Sequence, residues 1–254
     1  MKRLYLNQGR YQGQTLDVAE YLLEFHAAAL ARHWSAVRFA RIGDFDLHGY
    51  RRGPTDAGKS IYISTGIHGD EPAGPVALRR LVEEDRWPEG VDLVLCPCIN
   101  PTGLRSNTRE NMDGVDLNRD YRNTKSAEVR AHIEWLKTLP DFDMTLILHE
   151  DWEADGYYVY EVNPEEKPSP GRRIIDSVRE ACPIQPDSTV DGLWDCVEGI
   201  IHPHIPPEDR PLWAEALYLI MNKTRLSLTL ETPSDYPLAL RVEAHVRAVR
   251  AALK

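Results

Sequence analysis

The chain has 254 residues, a formal net charge of −10, 42% hydrophobic residues and 28% charged residues. These values are ordinary for a globular protein, and the length suits one α/β domain or two small ones. The acidic balance and the lack of a lysine–arginine cluster argue against a nucleic-acid binder. No apolar run approaches a membrane span, and none follows the N-terminal Lys-Arg pair as a secretory signal would require.

Cysteine usage indicates a reducing environment. The four cysteines are too few for a disulfide scaffold in a chain of this length. Cys96 and Cys98 stand in the apolar run LVLCPCIN, where we predict small buried side chains rather than metal ligands. We therefore expect a cytoplasmic protein.

The first half of the chain contains a predicted helix, a hairpin and two buried strands. Apolar positions at helical spacing predict a helix over 15–34, and loose alternation over 36–53 is typical of a hairpin. The β-branched run 60–67 and the apolar run 91–99 predict buried strands, separated by a helix over 72–86.

A polar stretch rich in Asn, Asp and Arg over 100–125 is predicted to be a loop, and loops of this length usually carry function. The pattern further predicts a helix over 126–138, strands over 144–150 and 156–162, a loop over 183–211, a helix over 212–222, a strand over 226–232 and a helix over 236–253.

Strands that alternate with helices predict an α/β fold. We expect a central mixed, largely parallel twisted sheet with helices on both faces, in a single domain over 1–254. An N-terminal helix and hairpin over 1–55 would lead into a catalytic core over 56–254.

Four polar residues follow apolar strands directly: His68, Asn100, His149 and Glu231. In sheets of this kind, ligands bind beyond the carboxyl ends of the strands. A hydrophobic core requires no polar residue at these positions, so we predict a functional site there.

His68 and Glu71 belong to the tetrad His-Gly-Asp-Glu, whose spacing lets an imidazole and a carboxylate share one ion. Gly69 removes a side chain beside that ion. The pair alone is equally compatible with a capped turn. His149 supplies a third ligand, and zinc in hydrolases takes three protein ligands and keeps one position for water. We therefore predict one Zn²⁺ ion.

The loop over 100–125 offers anion-binding groups. Asn118 and Arg119 follow Asp116, and Arg109 lies upstream. A guanidinium binds carboxylates in bidentate fashion and stabilises oxyanions. Glu231 ends an apolar strand, where burial raises a carboxyl pKa toward the range of a general base. A solvated loop and an exposed glutamate are the alternatives.

Together the motifs IHGDE, NPTG, RENMDGVDLNRDY, LILHED and LTLETPS resemble the zinc metallocarboxypeptidase family, which is related to the succinylglutamate desuccinylase and aspartoacylase group. The resemblance covers about residues 60–231. It implies that His68, Glu71 and His149 are zinc ligands. It also implies that Asp116 orients a ligand histidine, which we expect to be His68.

The same resemblance implies roles for the remaining polar residues. Arg109 would polarise the scissile carbonyl and stabilise the oxyanion. Asn118 and Arg119 would grip the terminal carboxylate of the substrate. Glu231 would act as general base and then as proton donor.

The family commonly has a substrate-binding tyrosine upstream of the catalytic glutamate, and that role stays open here. Tyr218 lies upstream of Glu231, but its apolar helical surroundings predict a core position. Tyr157, Tyr158 and Tyr236 are other candidates.

The predicted activity is removal of the C-terminal residue from a short peptide. An N-acyl amino acid deacylase is the alternative. Such enzymes carry an extra C-terminal β domain, whereas 23 residues (254 − 231) follow Glu231 here, which favours the peptidase. A catalytically silent binding module is a third possibility, and the filled catalytic positions argue against it.

The substrate and the oligomeric state are left open, and no nucleic acid or membrane is expected as a partner. The acid-rich turns EDWEAD and PEDR suggest a cationic or amine-bearing substrate, although solvated acidic loops explain them equally well. His202 and His204 stand in a proline-rich loop, and we interpret them as ordinary loop residues rather than ligands of a second metal.

Overall fold

A ten-stranded sheet organises the computed structural model, which describes residues 3–6, 14–54, 58–203 and 209–254. The strands are β1 (Ser35–Ile42), β2 (Phe45–Arg52), β3 (Lys59–Thr65), β4 (Val91–Cys96), β5 (Met144–Asp151), β6 (Tyr158–Val162), β7 (Ser188–Val190), β8 (Trp194–Val197), β9 (Ile200–Ile201) and β10 (Ser227–Pro233). The helices are α1 (Val18–Ala31), α2 (Ala73–Glu84), α3 (Pro101–Ser106), α4 (Ala127–Lys137), α5 (Gly171–Val178), α6 (Glu215–Asn222) and α7 (Leu238–Ala252), with a 3₁₀ turn at Leu117–Arg119.

The sheet has the strand order β1-β2-β4-β3-β5-β10-β6-β9-β8-β7. Strands β4, β3, β5 and β10 are parallel neighbours, and β6 is parallel to β9. The other five pairings are antiparallel. The α/β class is confirmed, but the sheet is mixed rather than largely parallel. Short turns join β1 to β2 and β7 to β8 to β9, and such turns permit only antiparallel pairing.

Helices cover both faces of the central strands. Side chains alternate along each strand, so Ile61 and Ile63 of β3 pack into a core with α1, α2, α5 and α7. Tyr62 points the other way, into a second core that contains residues of α4 and α6. This burial on both faces explains why the central strands read as continuous apolar runs.

Most predicted elements are observed near their predicted bounds, and helices α1 and α4 begin at residues whose side chains cap them. The Asp17 side chain accepts hydrogen bonds from Ala19 N and Glu20 N and caps α1, and Ser126 caps α4 in the same way. The four cysteines are buried and free, as predicted for Cys96 and Cys98. Within the described residues, no helix is both long and apolar enough to cross a membrane.

Two predictions about irregular segments were wrong, and one helix was not predicted. The stretch 100–125 contains α3, which begins because Asn100 accepts a hydrogen bond from Gly103 N and Pro101 occupies the first helical position. The stretch 183–211 contains β7, β8 and β9, whose strands are only two to four residues long. Helix α5 was not predicted, because its eight residues show too few turns for a clear period.

Candidate metal centre and active site

One face of three adjacent strands forms the floor of a cavity, at the carboxyl ends of β5 and β10 and along the antiparallel β6. Residues two apart on a strand share a face, and alternate residues of β5, β10 and β6 therefore point the same way. The cavity has a volume of about 850 Å³. Its floor is lined by Ile147, His149, Asp151, Tyr158, Tyr160, Val162, Thr229 and Glu231.

His68, Glu71 and His149 converge in the cavity wall. His68 Nδ1 lies 2.6 Å from Glu71 Oε1, and His149 Nδ1 lies 2.8 Å from Glu71 Oε2. One ligand atom from each residue lies within 4.8 Å of the others, and all three side chains are buried. The two imidazole rings are 4.9 Å apart between centroids. The structure thus brings together the three residues that the sequence singles out.

Asp116 contacts the His68 nitrogen that faces away from Glu71, and Arg109 links Asp116 to the Glu71 side of the ring. Asp116 Oδ1 lies 3.3 Å from His68 Nε2, and its Oδ2 accepts a 2.9 Å bond from Arg109 Nε. Arg109 Nη1 is 3.4 Å from His68 Nδ1 and 3.9 Å from Glu71 Oε1. Asp116 therefore holds one nitrogen of His68 while the other faces the cluster, as expected for a ligand histidine.

His149 is fixed from behind through its backbone. The carbonyl oxygen of His149 accepts a 3.1 Å bond from Nε2 of the buried His245 on α7. The next residue, Glu150, points to the opposite face and accepts a 2.6 Å bond from Ala73 N. It also forms a fully buried ion pair with Arg241. These contacts attach β5 to α2 and α7 and leave the His149 side chain free to face the cavity.

A glycine is required at position 69 for a structural reason other than the one predicted. A Cβ at this position would lie 1.8 Å from the backbone carbon of Gly103. The tetrad thus packs directly against α3, and only a glycine permits this close approach. The predicted need for space beside an ion is not what the packing shows.

Two imidazole nitrogens and one carboxylate form the donor set of many zinc hydrolase sites. The Nδ1 atoms face inward, because Asp116 occupies Nε2 of His68, and the three ligand atoms are close enough to surround one ion. Zinc bonds of about 2.0–2.2 Å put neighbouring ligand atoms roughly 3–3.5 Å apart, which small side-chain shifts would achieve here. The residues fit a metal ion, and the donor set fits zinc.

The cluster is strongly coupled electrostatically. Burial alone would raise the pKa of Glu71, but the facing His68 and His149 outweigh it and hold that pKa well below its usual range. Burial also opposes ionisation of Asp116, yet hydrogen bonding to His68 and the charge of Arg109 lower its pKa. Both carboxylates are therefore ionised at neutral pH, which is the state a cation binds.

Glu231 is a carboxylate on the floor of the cavity, on the strand next to that of His149. It pairs in register with His149 across the β5–β10 ladder and is 9% exposed. Burial, followed by the negative charges of Glu71, Asp151 and Asp191, raises its pKa well above the ordinary value. A carboxyl group that readily holds a proton next to a metal cluster is suited to proton transfer.

Asn118 and Arg119 also line this cavity. Asn118 Oδ1 accepts a 2.9 Å bond from Glu215 N, the first residue of α6. Its carbonyl end is therefore occupied, and its amide N–H groups remain as donors. Arg119 donates a 2.8 Å bond to the Asn118 carbonyl, and its guanidinium has further donors.

Of the four tyrosine candidates for substrate binding, Tyr158 lines the cavity. Tyr218 is in the second core, 5.7 Å from the ring of Tyr121, so the predicted core position is confirmed. Tyr157 belongs to the first core. Tyr158 lines the cavity and donates a 2.9 Å bond to Asp151, whereas Tyr236 is not among the lining residues.

His202 is exposed, and it is not among the residues that line the cavity. His204 lies outside the described residues. Sequence reasoning missed Arg210 and Trp194, which line the cavity and stack with 4.9 Å between the guanidinium carbon and the ring centroid. Neither residue belongs to a motif with a chemical spacing, so only the fold reveals them.

A His₂Glu cluster beyond the strand ends of a mixed α/β sheet is similar to the metal sites of zinc hydrolases such as carboxypeptidases. A family model, the succinylglutamate desuccinylase/aspartoacylase catalytic domain, matches residues 57–152. Carboxypeptidase SOL1 of Arabidopsis thaliana is 30% identical over 120 residues. That match covers 39% of this chain and 24% of the plant protein, so the chain spans about a quarter of its curated relative.

Solved structures extend the likeness to nearly the whole chain. A Shewanella amazonensis protein, provisionally named a metallopeptidase, is 25% identical with a TM-score of 0.80, and 94% of each chain is covered. A Pseudomonas aeruginosa metallo-carboxypeptidase in complex with (2-guanidinoethylmercapto)succinic acid is 21% identical, with a TM-score of 0.65. The match covers 92% of this chain and 69% of that one. By partial sequence matches and by fold, the chain is thus similar to proteins named metallopeptidases and carboxypeptidases.

Proposed function

We propose that the protein is a zinc-dependent metallocarboxypeptidase that hydrolyses the C-terminal amide bond of short peptides. The observation that carries the proposal is the arrangement of one cavity. The His68–Glu71–His149 cluster and Glu231 line it together with Asn118 and Arg119, whose N–H groups could bind a carboxylate. A metal site, a base and an anion anchor in one cavity are the parts that carboxypeptidase chemistry requires.

The chain's own residues divide the work of binding. Asn118 and Arg119 would hold the terminal carboxylate of the substrate through amide and guanidinium N–H groups. This anchor would position the scissile carbonyl between the metal cluster and Glu231. Arg109, which is 36% exposed beside Glu71, would donate to the oxygen that becomes negatively charged during attack.

Glu231 would perform the proton transfers. A zinc ion held by His68, Glu71 and His149 supplies Lewis acidity, which makes water more acidic and polarises carbonyl groups. Glu231 would accept a proton at its carboxylate from the attacking water. It would then give that proton to the nitrogen of the departing amino acid, which leaves with a free amine.

The test is release of a free amino acid from a panel of N-blocked dipeptides by zinc-loaded protein. Chelator-sensitive release of the C-terminal residue is expected, and readdition of zinc should restore it. A parallel panel of N-acyl amino acids is measured with the same protein. A protein that binds zinc and these ligands but turns over neither panel would contradict the proposal and favour a binding module.

An N-acyl amino acid deacylase is the second candidate, and the family-model match over residues 57–152 favours it. That range includes His68, Glu71 and His149 and the Asn118–Arg119 pair. The same anchor would bind the carboxylate of an N-acyl amino acid. Turnover of N-acyl amino acids without turnover of peptides would select this candidate.

A further inference from the structure

Arg210 is half-buried and differs from Arg51 and Arg241 because it has no acidic partner in the described part of the chain. Arg51 grips Asp92 with Nε and Nη2 at 2.8 and 3.0 Å, and Arg241 pairs with Glu150. In Arg210 the same two nitrogens, Nε and Nη2, are shielded from solvent and have no hydrogen-bond acceptor among the residues that the structure describes. A charged donor withdrawn from water without an acceptor is unfavourable, so this one requires an explanation.

The position of Arg210 is determined by hydrogen bonds to the loop that contains Asn118 and Arg119. Arg122 donates a hydrogen bond to the Arg210 carbonyl, and Tyr121 N donates a 3.2 Å bond to the carbonyl of Trp213. Glu215 N donates to Asn118 Oδ1. The segments 210–215 and 118–122 are therefore tied together at three points, and the Arg210 side chain lies against the ring of Trp194 in the cavity wall.

Arg119 and Arg210 bring two positive charges to the lining of the same cavity. Burial lowers the pKa of Arg210, and the charge of Arg119 lowers it further. Two neighbouring guanidinium groups repel each other unless an anion lies between them. Both residues line the cavity that contains Asn118, the metal cluster and Glu231.

We propose that Arg210 is a third substrate-binding residue, which shares the terminal carboxylate of the substrate with Asn118 and Arg119. Because Nε and Nη2 are shielded from solvent, the Arg210 side chain would turn toward the cavity on binding, where the carboxylate supplies the acceptor that it lacks and relieves the repulsion between the two arginines. A carboxylate has about four acceptor positions, which is enough for donors from three side chains. The role deepens the proposed function and rests on it for the identity of the substrate, but any ligand with a free carboxylate at this wall tests it.

The test combines kinetics and binding. Zinc-loaded wild type, Arg210→Met, Arg210→Lys, Arg119→Met and the double variant of Arg119→Met with Arg210→Met are compared on N-acetyl-Ala-Leu, N-acetyl-Ala-Glu and N-acetyl-leucine. We expect Arg210→Met to raise KM on the order of 10- to 100-fold with a smaller change in kcat, and Arg210→Lys to recover part of the loss. The double variant should lose less than the product of the single losses, because both arginines bind one carboxylate.

Controls separate this role from folding and from the proposed reaction. Arg38→Met removes an exposed arginine on β1, and it should leave KM, zinc content and Tm unchanged. Binding of both ligands is also measured by calorimetry in the Glu231→Gln background, so that it does not depend on turnover. Arg210→Met should weaken this binding by a similar factor.

Two results would overturn the proposal. One is unchanged ligand binding in Arg210→Met. The other is a loss confined to substrates whose last residue is Glu or Asp, since this would assign Arg210 to a second carboxylate. If wild type hydrolyses no peptide but Arg210→Met still binds N-acetyl-leucine more weakly, the peptidase proposal fails and the role of Arg210 stands.

Discussion

Glu231 and His149 are register partners on the parallel strands β10 and β5. Both side chains point into one cavity, so a candidate base faces a candidate metal ligand across a single strand spacing of about 4.8 Å. The ladder holds this separation, because neither residue lies on a loop. Strands are more precise supports for reacting groups than loops are.

Glu231→Gln should abolish most of the activity while the protein keeps its metal. The amide has nearly the same shape but cannot accept and return a proton, so we expect kcat to fall on the order of 10²- to 10⁴-fold. The measurement is kcat with zinc content determined on the same sample. Glu134→Gln, on the exposed face of α4, is the matched control. Near-normal turnover in zinc-loaded Glu231→Gln would exclude this glutamate as the base.

Asp116→Asn should weaken metal binding without removing a ligand. The amide no longer stabilises a proton on His68 Nε2, so Nδ1 becomes a poorer donor, and we expect zinc affinity to fall roughly 10- to 100-fold. Affinity is measured by competition with a chromophoric chelator. Asp113→Asn changes an exposed residue of the same loop and should have no effect. Equal affinities for the two variants would mean that the contact with His68 has no influence on the metal.

Asn118→Asp separates the two ends of the side chain. An aspartate can still accept the hydrogen bond from Glu215 N, so Tm should change little. It no longer donates and adds a negative charge, so binding of a carboxylate should weaken and KM should rise at least ~10-fold. Asn118→Ala, which loses both ends, should lower Tm as well. Unchanged KM in Asn118→Asp would remove Asn118 from the anchor.

His132 should make the fold sensitive to acid. It is fully buried between Tyr62 Oη at 2.8 Å and Tyr121 Oη at 2.6 Å, and burial lowers its pKa to about 3. Its folded pKa is below the unfolded value of about 6.5, so its contribution is present above pH 6.5 and is lost as pH falls toward 3. Between pH 7 and 5 the loss is about 2 kcal/mol.

The free energy of unfolding, measured in urea with chelator present, should therefore fall less between pH 7 and 5 in His132→Gln than in wild type. The buried Glu215 contributes with the opposite sign, because burial raises its pKa to about 7. Its contribution is lost as pH rises through 7, so the wild-type minus variant difference isolates His132. His202→Gln, at an exposed position, should reproduce the wild-type slope. Parallel slopes for wild type and His132→Gln would show that protonation of this histidine does not oppose folding.

The sequence by itself determined the central strands and the chemistry at their ends. The apolar runs before His68, His149 and Glu231 are long enough to specify buried strands, and the polar residue that ends each run has no role in a core. Because parallel strands end at one edge of the sheet, these residues were expected to meet. The spacing of His68 and Glu71 further limited the metal chemistry.

Only the tertiary structure decided which residues outside the sequence motifs line the cavity. The short strands β7 to β9 and the helices α3 and α5 are stabilised by long-range pairing and packing. Each is too short to show a clear hydrophobic periodicity in the sequence. Gly69 depends on contact with Gly103, which is 34 residues away (103 − 69). Arg210 lies far from Asn118 in sequence, and its place depends on hydrogen bonds between two loops. Contacts of this kind depend on the whole fold, so no local pattern of residues can encode them.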